Sequence, residues 1–253
     1  QVDDAEICGL DEEHIPCRIE TTTVPHQGLM GATSTRIFDS SGDLIYDYAP
    51  GATNPTTYVY GKLARLESVT APTGEVTRYR YDAEGRVGFA AYPMSSVTLA
   101  AQQAGDKGVT TFYDPLGRVT STSQDSELGL LTTLTTYGTT FTTTVTNPRG
   151  FSTTSTYLTF DQPSTDWPLV ISAPESATTA IARDTFGNPT SLTRSGGGVT
   201  PVVRSYSYNI NQELCRSVEP ETGATLFGYD AGGNLTWSAA GLASSQACHA
   251  TGN

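Results

Sequence analysis

One stretch, residues 77–87 (TRYRYDAEGRV), constrains the fold of this chain more than any other. Tyr79 and Tyr81 alternate with Arg78 and Arg80, which is the pattern of a strand with one apolar and one solvated face. We expect both tyrosines to pack against adjacent hairpins and both arginines to lie on the opposite, exposed face. The stretch therefore predicts a strand of an antiparallel sheet.

A turn signal follows this strand directly. Asp82 can accept a backbone N–H two residues on, and Gly85 can adopt the positive φ that closes a type I turn into a bulge. If Gly85 has this conformation, Gly85→Val should cost on the order of 1 kcal/mol or more through steric strain. The strand and the turn together predict a β-hairpin.

Weaker copies of the hairpin recur along most of the chain. Aligned by the residue that opens the turn, they begin at positions 39, 61, 82, 114, 147, 184, 209 and 230, separated by 22, 21, 32, 33, 37, 25 and 21 residues. A basic period of about 21 fits two strands of roughly seven residues with their connections, and longer intervals indicate insertions.

The alignment predicts two sets of residues with a repeated structural role. The turn residues are Asp39, Gly42, Asp82, Gly85, Asp114, Gly117, Asn147, Gly150, Asp184, Gly187, Asn209, Asp230 and Gly233. The repeated aromatic residues, which we expect in the strands, are Tyr58, Tyr60, Tyr79, Tyr81, Tyr113, Tyr206, Tyr208 and Tyr229. The copy at 209 lacks the glycine, the copy at 147 lacks tyrosines just before the turn, and the copy at 61 is the loosest.

The motif Tyr-Asp-x-x-Gly-Arg-Val, accompanied by Pro-x-Gly turns such as Pro72–Gly74, resembles the YD repeat of the Rhs family. The resemblance covers residues 36–238 and implies an all-β fold. It implies a curved or spiralling ribbon of antiparallel β-hairpins that forms part of a hollow shell, which in some members encloses a toxic domain. Residues 1–35 would then be an entry segment, and residues 239–253 a polar tail.

Composition agrees with a sheet that has few positions buried on both sides. Leu, Ile, Val and Phe make up just under one fifth of the 253 residues, whereas tyrosine and threonine supply residues that favour strands. The net charge of −12 disfavours nucleic-acid partners, because an acidic surface repels phosphate. No run of eighteen apolar residues occurs, so we expect no membrane span.

The four cysteines favour two local disulfides, Cys8 with Cys17 and Cys215 with Cys248, although three connectivities are open. A zinc site at Cys8 and Cys17 is the weaker alternative, because His14 alone is a poor supplement to two thiolates. Disulfides would place the chain outside the cytoplasm, as a secreted or bacterial cell-surface protein. Between the repeats, residues 99–104 are the stretch with helix propensity.

The sequence offers no catalytic, cofactor-binding or metal-binding motif, because the three histidines lie outside any such pattern. We therefore expect no enzyme, but a structural scaffold or encapsulating shell segment, with toxin delivery as the role that the resemblance implies. Its partners would be neighbouring YD-repeat segments, a second copy joined through sheet edges, or a toxin cargo. The alternative is a carbohydrate-binding or adhesion module that contacts glycans through Trp167 and Trp237.

Overall fold

The computed structural model describes residues 18–26, 29–95, 107–159 and 164–248, without the side chains of residues 24–26 and 29–32. In this part of the chain it shows twenty β-strands and one turn of 3₁₀ helix, Lys62–Ala64. The predicted all-β class, built of antiparallel hairpins, is confirmed. The expected helix at residues 99–104 and the Cys8–Cys17 pair with His14 lie outside the described residues.

The chain divides into two compact units, Gln1–Thr132 and Thr133–Asn253. In the first unit, strands adjacent in sequence pair antiparallel from β1 to β7, after which β7 pairs with β9 and β9 with β10. The short β8 pairs with the start of β6. The strands are β1 (Arg18–His26), β2 (Leu29–Phe38), β3 (Leu44–Tyr48), β4 (Thr56–Tyr60), β5 (Leu66–Thr70), β6 (Glu75–Tyr81), β7 (Val87–Ala91), β8 (Met94–Ser95), β9 (Gly108–Tyr113) and β10 (Val119–Ser126).

The second unit is a meander in which each strand pairs antiparallel with the next along the chain. It begins within β11 (Gly129–Tyr137). The other strands are β12 (Thr142–Thr146), β13 (Ser152–Tyr157), β14 (Pro168–Ser172), β15 (Thr178–Arg183), β16 (Pro189–Gly196), β17 (Val199–Tyr208), β18 (Leu214–Glu219), β19 (Gly223–Tyr229) and β20 (Leu235–Leu242).

Few large side chains are fully removed from solvent in the described part of the chain. The buried hydrophobic residues there are Val76, Phe89 and Ala91 in the first unit and Cys215, Ala224 and Leu226 in the second. Most other strand residues are half-buried, so each contributes only part of its apolar surface to packing. Contacts that join neighbouring hairpins must therefore carry a large share of the stability.

The expected division of β6 into a tyrosine face and an exposed arginine face is wrong in part. Tyr79 and Tyr81 are half-buried and Arg80 is exposed, but Arg78 is half-buried as well. Val76, which alternates onto the face of the arginines, is only 5% exposed. The reason is that Arg80 lies opposite Phe89 and stacks on its ring, 3.8 Å from the centroid, so an arginine covers an apolar side chain on this face.

Candidate functional site

The repeated structure of this protein is a turn followed by a bulge, seen clearly at Asp82. The N–H of Asp82 donates to the carbonyl oxygen of Arg86 (2.9 Å), and the N–H of Gly85 donates to that of Asp82 (3.1 Å). The carboxylate of Asp82 accepts the N–H of Arg86 (2.8 Å), and Gly85 has φ of 86°. On the return strand Gly88 is left without a cross-strand partner, because Tyr81 pairs with Val87 and Arg80 pairs with Phe89.

We call this arrangement a turn–bulge unit and name its residues by place. The opening residue donates its N–H to the carbonyl of the closing residue, the glycine position directly precedes the closing residue, and the aromatic position directly precedes the opening residue. Among the described residues, turn–bulge units open at Asp39, Gly61, Asp82, Asp114, Leu158, Asp184, Asn209 and Asp230.

At four of the opening positions, Asp82, Asp114, Asp184 and Asp230, hydrogen bonds favour the ionised carboxylate. Partial burial would raise the pKa of Asp82 and Asp114, but hydrogen bonds from the backbone and guanidinium of the closing arginines outweigh it and lower both pKa values. The pKa of Asp184 is lowered in the same way, against the effect of partial burial, by bonds from Asn188. At Asp230 the side-chain amide of Asn234 is the largest cause of a lowered pKa.

The predicted repeat at Asn147 does form a turn, but this turn lies at the opposite end of the strands from the other repeats of its unit. Within the second unit the strands are antiparallel, so consecutive turns lie at alternate ends of the strands. The turn after β12, opened by Asn147, is therefore opposite the turns opened by Asp184, Asn209 and Asp230. It also lacks the bulge, because Thr146 pairs with Ser152 and Val145 pairs with Thr153 without a break in register.

The turn at the same end of the strands as those of Asp184, Asn209 and Asp230 belongs to a turn–bulge unit that the sequence analysis does not predict. The N–H of Leu158 donates to the carbonyl of Trp167 (2.8 Å), so Leu158 is the opening residue and Trp167 the closing residue of a turn with a long insertion. The bulge follows, since Tyr157 pairs with Pro168 and Thr156 with Val170. The sequence does carry one signal of this unit. Tyr157 stands at its aromatic position, 26 residues before Arg183, which takes the aromatic position of the next unit.

Glycine is not essential at the glycine position. Gln212 has φ of 65° in the unit opened by Asn209, and Ala64 has φ of 53° in the unit opened by Gly61. Both residues are in the left-handed region that glycine adopts at little cost. The tertiary structure therefore imposes this backbone conformation even where the sequence does not supply glycine.

Successive turn–bulge units are joined by a repeated hydrogen bond from the aromatic position. The tyrosine hydroxyl there donates to the carbonyl oxygen of the residue that follows the closing residue of the preceding unit. Four such bonds are seen among the described residues, Tyr81 to Leu66 (2.9 Å), Tyr113 to Val87 (3.0 Å), Tyr208 to Pro189 (3.0 Å) and Tyr229 to Leu214 (3.0 Å). Arg183, which replaces tyrosine, donates to the carbonyl of Pro168 (3.3 Å) instead.

A second contact joins several closing residues to the next turn–bulge unit. The guanidinium of Arg65 lies over Gly85 and stacks on the Tyr81 ring at 5.6 Å, and that of Arg86 stacks on Tyr113 at 4.6 Å. In the second unit of the chain, the amide of Asn188 donates to the side-chain oxygen of Gln212 (2.8 Å). We call these two repeated contacts the inter-repeat ladder.

The two tryptophans proposed for glycan contact are both half-buried against glycine backbones. The ring of Trp167 lies over Gly187, the place that Arg65 takes over Gly85, so Trp167 is part of the inter-repeat ladder. Trp237 lies against Gly228, its partner across β19 and β20. Each ring thus packs against backbone within the sheet.

The remaining predicted residues have the following places. Tyr58, Tyr60, Tyr79 and Tyr206 are half-buried strand residues. Cys215 and Cys248 form a disulfide with a Cα–Cα distance of 5.5 Å. Within the described ranges, no group of three or more His, Cys, Asp or Glu residues could hold a metal ion, and no helix is long and apolar enough to cross a membrane.

Comparison with known proteins identifies one of these repeats directly. Residues 65–91, which hold β5 to β7 and the turn–bulge unit of Asp82, match the family model named RHS Repeat. The resemblance to the Rhs family, based on the Tyr-Asp-x-x-Gly-Arg-Val motif, is therefore confirmed at the copy that defines it. None of the curated proteins matches the chain.

The comparison with solved structures finds matches at low identity and with TM-scores below 0.5. One is the crystal structure of TcdB2-TccC3-TEV, with 12% identity and a TM-score of 0.41 over 88% of this chain and 15% of that chain. The other is the Tc holotoxin pore of Photorhabdus luminescens with a substituted TccC3, with 14% identity and a TM-score of 0.39 over 89% of this chain and 14% of that chain. This chain thus spans about one seventh of the length of the chains that it matches.

Proposed function

We propose that this chain is a structural segment of an Rhs-type protein, a stretch of β-sheet wall that scaffolds or encloses other components. The observation that carries the proposal is the inter-repeat ladder. Tyr81, Tyr113, Tyr208 and Tyr229 all donate to the preceding repeat, and the opening aspartates bond their own turns. The repeated tyrosines thus join one hairpin to the next, and the repeated aspartates stabilise each turn.

The scarcity of fully buried side chains supports the same role. A compact domain of this length normally has a continuous core, whereas the described residues bury only a few hydrophobic side chains in each unit. A wall of linked hairpins needs no such core, because each repeat is stabilised by its neighbours. Further repeats could extend the same contacts in either direction along the sheet.

We further propose that the complete protein is exported and that its wall encloses a toxin cargo. The Cys215–Cys248 disulfide supports export, since disulfides persist in oxidising compartments. The toxin cargo follows from the Rhs resemblance of the repeat motif. Co-purification of a cargo with the complete protein, protected from added protease until the wall is unfolded, would be expected, whereas a cargo digested as fast as in free form would contradict enclosure.

Association through the last strand tests the wall proposal on this chain. Among the described strands β20 pairs with β19 alone, so its other edge can accept a strand from a neighbour. We expect sedimentation velocity to show association that increases with protein concentration. Ser238→Lys with Ala240→Lys, two exposed positions of β20, should weaken it, because charged side chains on an edge strand oppose pairing.

A matched control has the same change in charge away from the strand. Thr139→Lys with Thr140→Lys alters two exposed residues of the turn before β12 and should leave association unchanged. A chain that stays monomeric at every concentration, or equal effects of both double variants, would contradict assembly through this edge.

The alternative role, glycan adhesion through Trp167 and Trp237, is a separate hypothesis. It requires the part of each half-buried ring that remains exposed beside Gly187 or Gly228 to bind a sugar. Binding on a glycan array that is lost in Trp237→Leu would support it. Array binding that persists in both tryptophan variants would exclude these two rings as the site.

A further inference from the structure

The chain after β20 turns back across the sheet of the second unit. The carbonyl of Ser244 accepts a hydrogen bond from the guanidinium of Arg216, and Cys248 is bonded to Cys215. Arg216 and Cys215 belong to β18, and β19 lies between β18 and β20. Residues 243–248, which we call the strap, therefore cross β19 to reach β18.

The strap covers buried apolar side chains of β19. Ala224 is 0% and Leu226 is 3% exposed. Leu226 is the cross-strand partner of Arg216, so its side chain projects to the face on which Arg216 binds Ser244. Pairing on both sides does not bury a strand by itself, since no residue of β16 is buried although β16 pairs with β15 and β17. The strap therefore supplies a cover that β16 lacks.

Few noncovalent contacts hold the strap in this place. Residues 243–247 are exposed and are small or polar, so the strap gains little from burial of its own side chains. Its described ties to β18 are the hydrogen bond from Arg216 and the disulfide, whereas the bond from the N–H of Gln246 to the carbonyl of Ala243 lies within the strap. Ordering six residues costs more conformational entropy than one such hydrogen bond returns, so the disulfide keeps the strap closed.

The two sulfur atoms of the disulfide differ in their access to an external thiol. Cys215 is 4% exposed, whereas Cys248 at the end of the strap is half-buried. Thiol–disulfide exchange requires the attacking thiolate to reach one of the two sulfur atoms directly. The sulfur of Cys248 is therefore the one open to attack.

We propose that Cys248 is the site at which an external thiol opens the strap and uncovers Ala224 and Leu226. The thiolate forms a bond to the sulfur of Cys248, the bond between the two cysteines breaks, and Cys215 leaves with the electron pair as a thiolate that gains a proton from water. A second thiol attacks the mixed disulfide and releases Cys248 as a thiol. The protein disulfide thus gains two electrons, and two molecules of thiol are oxidised to their own disulfide.

The opening is local, because the remainder of the second unit is held by other contacts. The strands β15, β16 and β17 pair with one another, and the hydroxyl of Tyr208 donates to the carbonyl of Pro189 without involving the strap. Such a segment, exposed and with few contacts, opens at a lower free energy than the paired strands. The proposal goes beyond the wall role and does not rest on it.

Hydroxyl-radical labelling of the full chain, read by mass spectrometry, tests the opening. Leu226 should be protected in the oxidised protein, and its labelling should rise at least about threefold after treatment with glutathione and removal of the reagent without air, because the side chain changes from buried to half-buried. Leu192 of β16 is half-buried in the closed structure and should be labelled equally in both states.

The position of attack is measured separately. Acid quenching during the reaction with glutathione, followed by peptide mass spectrometry, should find the mixed disulfide on Cys248 and the free thiol at Cys215, at least about tenfold more often than the reverse.

The matched control is Cys215→Ser with Cys248→Ser, which retains Cys8 and Cys17. Leu226 of this variant should be labelled as strongly as in the reduced parent, and glutathione should change nothing. An effect of glutathione through the other two cysteines would therefore be recognised.

Three results would overturn the proposal. Unchanged labelling of Leu226 after reduction would show that the strap is not its cover. An equal rise at Leu192 would show that the disulfide supports the whole unit rather than closing a strap. Glutathione found mainly on Cys215 would contradict Cys248 as the site of attack.

Discussion

At the scale of single residues, the glycine position combines two constraints that can be separated by experiment. Gly85 has φ of 86°, and a Cβ there would lie 2.6 Å from a guanidinium nitrogen of Arg65. Gly42 has a similar φ of 91°, but a Cβ there would have no atom within 4 Å. The backbone requirement is therefore shared, and the steric requirement belongs to the inter-repeat ladder.

We predict that Gly42→Ala costs about 1 kcal/mol of unfolding free energy from the positive φ alone. Gly85→Ala should cost more, because it must also displace Arg65 from the Tyr81 ring. Denaturant unfolding of both variants measures the difference. Equal costs at the two positions would show that Arg65 contributes nothing over Gly85.

The opening aspartates predict a specific acid sensitivity. The pKa values of Asp82, Asp114, Asp184 and Asp230 are lowered in the folded chain, so their contribution to stability is fully present above the unfolded value of about 3.9 and is lost as the pH falls through the folded values. We predict that the unfolding free energy decreases as the pH drops below about 4, measured by denaturant unfolding at a series of pH values.

Asp114→Asn is the informative variant for this effect. Asn147 and Asn209 accept the same backbone N–H groups at their turns, so an amide preserves the turn while it removes the charge that pairs with Arg118 (2.7 Å). The variant should fold and should lose part of the acid-dependent decrease. An unchanged pH profile would contradict the role of this carboxylate.

At the scale of the elements, the sequence predicts the turns better than their position in the sheet. Asp with Gly three residues later specifies a backbone path, and this signal located the units of Asp39, Asp82, Asp114, Asp184 and Asp230. This signal does not show at which end of the strands a turn lies, because that depends on how many strands separate two turns. The sequence pattern therefore groups the turn of Asn147 with the turn–bulge units, whereas the order of the strands puts it at the opposite end from the turns of Asp184, Asn209 and Asp230.

The unit opened by Leu158 shows that a turn–bulge unit can also form without the sequence signal for its turn. The turn from Leu158 to Trp167 has neither the aspartate nor the glycine, and a long insertion separates its ends. Its identity lies in the bulge after Tyr157 and in the contact of Trp167 with Gly187, which exist only after the strands have paired.

If Trp167 acts as a closing residue, its substitution should affect stability in a way that a glycan-binding role does not predict. Arginine takes this place in the units of Gly61 and Asp82, where it lies beside the next glycine position. Trp167→Arg should therefore retain most of the stability, whereas Trp167→Ala should lose about 1–2 kcal/mol with the packing over Gly187. Thermal and denaturant unfolding would compare them, and equal losses would contradict the assignment.

At the scale of the whole molecule, the disulfide is the covalent support of the C-terminal region. It joins Cys215, which is 4% exposed, to Cys248 across 33 residues that include β19 and β20. Closing a loop of this length restricts the unfolded chain and is worth roughly 3–4 kcal/mol in the entropic description. The crosslink therefore offsets the small core of the second unit.

We predict that Cys215→Ser with Cys248→Ser lowers the unfolding free energy by that order, and that reductant has the same effect on the parent protein. Mass spectrometry of unreduced peptides should find the two cysteines linked. Recovery of both as free thiols from protein purified without reductant would contradict the disulfide and the export proposed from it.

The central claim, that one repeated contact joins hairpin to hairpin within each of the two units, is tested most directly by removing single tyrosine hydroxyls. Tyr81→Phe, Tyr113→Phe, Tyr208→Phe and Tyr229→Phe each delete a hydroxyl that donates to the preceding repeat, whereas the half-buried Tyr79 and Tyr206 show no such bond among the described residues. We predict losses of about 1 kcal/mol in unfolding free energy for each of the four, and changes within about 0.5 kcal/mol for Tyr79→Phe and Tyr206→Phe. Indistinguishable effects of the two sets would contradict the ladder.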